Sequence, residues 1–328
     1  MAWKGTARSL NSALNEIQRD RQRAQRDYER QQAALAKMAE VERAAAEVEL
    51  FEEYVDDLIT LHHNDAPDVD WAGVASSSEP TYQAPVPTKP AAEKELANYK
   101  PGRLHSKKRQ ARDGGALEAA VTQAGQADEA DKARSLKAHE SGVEEWKRQV
   151  ALAKRIMAED RQAWSEAANQ IDQLTGGQYI RFIDLDVPQS GPPTVKFGLQ
   201  DHDIVPSKKK TQLKSGKLSE KDMPKGEYFA AYQDYVCGAM LWVSNTVLGL
   251  IPIPQVVATG YVHQLNPATG HKEETPVISA QIVRDTIGEM NLSFVDPSDG
   301  MANFRHEMKF KKTQGFDLIQ PIQISSDN

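Results

Sequence analysis

The chain has 328 residues, enough for about two domains, with 39% apolar residues, 27% charged residues and a net charge of −7. That charge excludes a general nucleic-acid coat but still allows a local basic site. The single cysteine, Cys237, excludes an intrachain disulfide and a multi-cysteine zinc site, and fits a reducing, cytoplasmic setting.

The opening "MAWKGTARSLNSAL" is polar and lacks the apolar core of a signal peptide, so no export signal is expected. From Leu10 the apolar residues recur at a 3–4 spacing through Leu14, Ile17, Ala24, Tyr28, Leu35 and Met38. After a three-residue step they continue through Val41, Ala45, Val48, Phe51, Val55 and Leu58. This pattern predicts a first coiled-coil helix within 1–65. A linker rich in Pro, Ala and Ser is predicted over 66–115, with Pro67, Pro80, Pro85, Pro87, Pro90 and Pro101.

A second coiled-coil helix is predicted over 116–176, after the "DGG" at Asp113–Gly115 and before Gly176 and Gly177. Its clearer seam is Val143, Trp146, Val150, Ala153, Met157, Asp160, Trp164, Ala167, Ile171 and Leu174. Gly125 and Gly142 mark places where this helix is expected to bend or break. The two helices can pair within one chain or between chains. Polar seam positions call for further packing, in an oligomer or against a protein partner.

Residues 177–328 read as a compact antiparallel or mixed α+β domain. Alternating stretches such as "QYIRFIDLDV" and "PTVKFGLQ" predict strands. A Lys-rich loop follows them, and then a central buried helix over 226–250. The stretch from Tyr235 to Val262 carries no charge. Ser244, Asn245 and Thr246 lie in its middle, and Pro252 and Pro254 break it, so a buried core helix is expected rather than a membrane span. The predicted fold class is therefore α+β, a long N-terminal helical coiled-coil arm followed by this domain.

Glu307-Met308-Lys309, with Asp296 upstream, resembles the metal-binding and charge-stabilising set of PD-(D/E)xK nucleases, in which carboxylates hold a divalent ion and the Lys faces the developing charge. A hairpin pairing would place Asp296 about 13 Å along the ladder from Glu307, too far for one ion. His62-His63 near Asp65, Asp68 and Asp70 is better read as a helix terminus than a metal site. Lys208, Lys209, Lys210 and Lys214 could meet phosphates, but no aromatic residue is interleaved for base stacking. A solvated loop is expected there. No P-loop and no Ser–His–Asp or Cys–His system is present.

The stretches "MAWKGTARSLN", "SGKLSEKDMPKGEYFAAYQDYVCG" and "DPSDGMANFRHEMKFKKTQGF" are similar to a family of bacterial proteins without established function. That family pairs an N-terminal coiled coil with a compact C-terminal domain over essentially the whole chain. The resemblance implies a bacterial cytoplasmic origin and transfers no catalytic residue. The expected function is non-enzymatic interaction or assembly, set in a stress or phage-defence complex. Leu14, Ile17, Leu35, Trp146, Val150 and Trp164 would form the contact seam, for self-association and a protein partner, with no cofactor. The alternative is a Mg²⁺-dependent nuclease using Glu307, Lys309 and Asp296.

Overall fold

The structure is a computed structural model that describes residues 23, 25–33, 40–102, 106–168, 178–265 and 270–323. The chain has an α+β arrangement with a long helix and a C-terminal mixed-sheet domain. Its described residues divide into two compact units: one is built from Ala72–Ala153, the other from the described residues up to Trp71 together with those from Lys154 onward.

In the second unit, α1 (Glu40–Ile59) leads into a 3-10 turn at Leu61–His63. A short helix, α2, spans Trp71–Ala75. In the first unit, α3 (Lys89–Asn98) precedes α4 (Lys107–Met157), a helix of 51 residues whose last turn, from Lys154, belongs to the second unit. Residues 66–115 are thus not a plain linker, since they hold α2, α3 and the start of α4. Nor do Gly114, Gly115, Gly125 and Gly142 break α4. Each glycine costs an exposed helix only about 1 kcal/mol. The helix is laced by same-face ion pairs, Arg109–Asp113, Arg134–Asp131 and Lys147–Glu144.

The helix stops instead at Met157. Glu159 adopts a left-handed φ of 59°, and the Asp160 carboxylate accepts from Gln162 N at 2.9 Å, starting α5 (Arg161–Ala168). The sequence places Asp160 in a seam; its actual task is that of an N-cap. Residues 169–177, with Ile171 and Leu174, lie outside the described residues.

The core of the second unit is a five-stranded sheet of order β1-β2-β5-β6-β7. These strands are β1 (Ile180–Asp186), β2 (Thr194–Leu199), β5 (Gln255–Leu265), β6 (Lys272–Val283) and β7 (Arg305–Met308). β2 and β5 are parallel, and the other neighbours antiparallel. A parallel pair needs a crossover, and α6 (Lys225–Leu250) supplies it. From Tyr235 to Ser244 every residue of α6 is buried, which is why that stretch can be apolar all round. Among the described residues no helix is long and apolar enough to cross a membrane.

The Lys-rich stretch is not an open loop. It forms the ribbon β3 (Lys208–Gln212) and β4 (Leu218–Asp222). α1 packs against this ribbon and against α6, burying Ala44 and Leu58. Of its predicted seam only Leu58 is buried there, while Val41 and Ala45 stay exposed.

The last turn of α6 shows where its orphan carbonyls go. Val69 N donates to Gly249 O at 3.3 Å, and Trp71 Nε1 donates to Leu250 O at 2.8 Å. The Arg284 guanidinium donates to the carbonyls of Leu248, Ile251 (2.7 Å) and Ile253 (2.8 Å). Arg284 opens α7 (Arg284–Glu289), which leads to α8 (Pro297–Gly300).

Candidate interaction site

β7 lies at the sheet edge, with Arg305 and Glu307 exposed. Cross-strand register sets Asp184, Lys196, Thr259, Ser279 and Glu307 in one row, so these side chains share a face. In its middle Thr259 and Ser279 hydrogen-bond at 3.0 Å, and Ile322 N donates to Ser279 Oγ at 3.1 Å. Lys309 contributes its carbonyl to Asp317 N at 2.8 Å.

Asp296 belongs to a different network. It caps α8, accepting from Ser298 N (2.9 Å), Asp299 N (3.1 Å) and Ser298 Oγ (2.8 Å). Burial, the largest influence, pushes its carboxyl up, but these bonds and His62 together hold it below the ordinary range. Among the described residues no three His, Cys, Asp or Glu side chains are arranged to hold a metal.

Beside Asp296, His62 is buried, and its Nε2–H donates to Val295 O at 3.0 Å. Desolvation, the largest influence, lowers its pKa. Its Nδ1 has no partner among the described residues and faces Gly238, where an added Cβ would lie 3.2 Å away. Asp234 on α6 is pushed up to about 6 by burial and by the nearby Asp296 carboxylate.

The folded state thus prefers Asp234 protonated. Below about pH 4 the preference has no cost. As pH rises from about 4 to 6 the unfolded chain ionises Asp234 before the fold does, so stability falls across that window and stays lower above it. Asp234→Asn should therefore stabilise the protein at pH 8 by about 1–2 kcal/mol. Urea unfolding at pH 8 and pH 4 checks this: the gain should vanish at the lower pH.

The lysine cluster is largely neutralised. Lys209 pairs with Glu227, Lys210 with Glu47 (3.0 Å) and Lys208 with Glu220 (3.9 Å). Lys214 lies in the turn between β3 and β4. Of the expected seam, Leu14, Ile17 and Leu35 lie outside the described residues. Val150 is buried. Trp164 is also buried, its Nε1 donating to Ile156 O at 3.3 Å and its ring under Arg161.

Trp146 leads to the feature missed in the sequence. Its Nε1 donates to Ser77 Oγ at 3.0 Å. Further along α4, Ser135 Oγ donates to Tyr82 Oη at 3.3 Å, and the Tyr82 and His139 rings meet at 5.4 Å. Asp128 then accepts from Thr88 N, Thr88 Oγ1 and Lys89 N, each at 2.8 Å. Those bonds lower the Asp128 pKa, with the Thr88 N–H foremost.

Residues 77–89 therefore run as an extended strap along α4, antiparallel to it. Trp146, His139, Ser135 and Asp128 are spaced by seven, four and seven, one stripe of a helix. Asp128 supplies from α4 the cap that α3 lacks, because Thr88 makes no side-chain cap bond of its own. Gly125 faces the Lys89 stem, whose Cδ would meet an added Cβ in ordinary contact at 3.4 Å. The upstream seam of α4 is polar because an extended segment occupies it. The sequence signal was this polar stripe opposite a Tyr and a Thr some 40–60 residues earlier, too diffuse to read alone.

The chain matches no model of a known protein family, no curated protein and no solved structure.

Proposed function

We propose that this is a non-enzymatic interaction or assembly protein, whose helical arm associates with a second copy through coiled-coil pairing and docks a protein partner. The observation that carries this reading is α4. It is about 77 Å long at 1.5 Å per residue, and from Lys107 to Gly142 not one residue is buried. Outside the stripe that receives residues 77–89, a helix of that length leaves a long face open to contact with other chains. A cytoplasmic stress or phage-defence complex is the setting that belongs to the same proposal. Nothing favours the nuclease reading over it, since Asp296 is committed to capping α8.

The seam can be tested where it is most apolar. Leu14→Glu combined with Ile17→Glu should reduce the light-scattering mass to that of one chain while the helical circular-dichroism signal persists. An assembly unchanged by both substitutions would contradict the coiled-coil part of the proposal.

A further inference from the structure

The strap displays more than it needs to hold α4. Its two anchors, Tyr82 on one side and Thr88–Lys89 on the other, leave Gln83–Pro87 between them, all exposed. Val86 is 89% exposed, a large apolar side chain held almost wholly in water. Pro85 and Pro87 have φ locked near the polyproline value. Ala84 and Val86, each preceding a proline, are steered away from helical geometry. The run Ala84–Pro85–Val86–Pro87 is thereby biased to polyproline II, a conformation whose backbone is left open to a partner.

We infer that Gln83–Pro87 is a pre-formed polyproline-II ligand for a partner domain with an aromatic-lined groove. Such grooves read proline-rich segments through ring stacking against the pyrrolidines, and pay little ordering entropy when the ligand is already extended. Here Tyr82 with Ser135 and His139 fixes one end, and Asp128 fixes the other. The exposed Val86 would fill the apolar floor between two proline contacts. This rests on the reading of the protein as an interaction protein, and names the chemistry of one partner.

The test titrates the full chain with purified SH3, WW and EVH1 domains as probes, by calorimetry, and records the light-scattering mass of the same samples. At least one probe should bind with micromolar affinity. Pro85→Ala with Pro87→Ala should weaken that binding at least tenfold without changing the thermal melt. Asp128→Ala, which releases one end of the strap, should weaken it severalfold with the ligand sequence intact. The inference is overturned if no probe binds, or if the double proline variant binds as wild type does. Assembly that persists without groove binding overturns this inference alone, and groove binding by a chain that is monomeric overturns the self-association reading alone.

Discussion

Gly249→Ala should destabilise the sheet unit by at least about 3 kcal/mol, or prevent its folding, because the new methyl would need space held by backbone. A Cβ there would lie 1.7 Å from the Pro67 carbonyl oxygen and 2.9 Å from its carbon. Neither atom can rotate away as a side-chain tip could. Relief would require residues 67–71 to peel off the end of α6, losing the Val69–Gly249 bond and the Trp71 indole bond to Leu250. Gly288→Ala is the control: no atom lies within 4 Å of the added carbon and the site is helical, so this variant should be as stable as wild type or up to about 1 kcal/mol more stable. Chemical denaturation of both variants gives the comparison, and equal midpoints would show that the approach of Pro67 is not structurally required.

Arg284→Met comes second in expected effect. The methionine keeps much of the side-chain volume but takes the shared donor from the carbonyls of Leu248 and Ile253, while Ile251 O keeps its bond from Ile253 N at 2.9 Å. Unsatisfied, partly buried acceptors cost about 1–3 kcal/mol each, and some water will reach them, so a loss of about 3–4 kcal/mol is expected. Arg284→Lys should recover less than half, because an ammonium lacks the planar fork that spans three carbonyls. Desolvation lowers the Arg284 pKa, but guanidinium remains charged across the working pH range, so the effect should not vary between pH 6 and 9. Wild-type stability in Arg284→Met would mean that the end of α6 is satisfied in another way.

Both effects arise from the end of a helix whose interior was easy to read. A run without charge from Tyr235 onward is either a membrane span or a core helix, and the two prolines beyond it favoured the core. The α+β class and the long helix were legible for similar reasons of periodicity and composition. Arg284 was not, because its partners lie some 30 residues back and cap a helix through backbone atoms that leave no trace in the sequence. The lysine run reads as a loop because lysine has little strand propensity, yet it pairs as an antiparallel ribbon whose lysines meet Glu47, Glu220 and Glu227.

The candidate sites divide along the same line. Glu307 alternates with His306 and Met308 as an edge strand should, and its exposure follows. Asp296 looked like a metal ligand, although "DPSD" is also a helix-start signature, with Asp at the cap and Pro in the first turn. The local rule describes what the carboxylate does. The strap was hidden for a different reason: its prolines were visible, but the polar stripe that receives them is recognised only when Asp128, Ser135, His139 and Trp146 are seen on one side of α4.

Sedimentation equilibrium of the full chain over a hundredfold concentration range tests the proposed arm most directly. A mass of two chains or more, falling only at the lowest concentrations, is the predicted result. A single-chain mass throughout would contradict self-association through the helical arm.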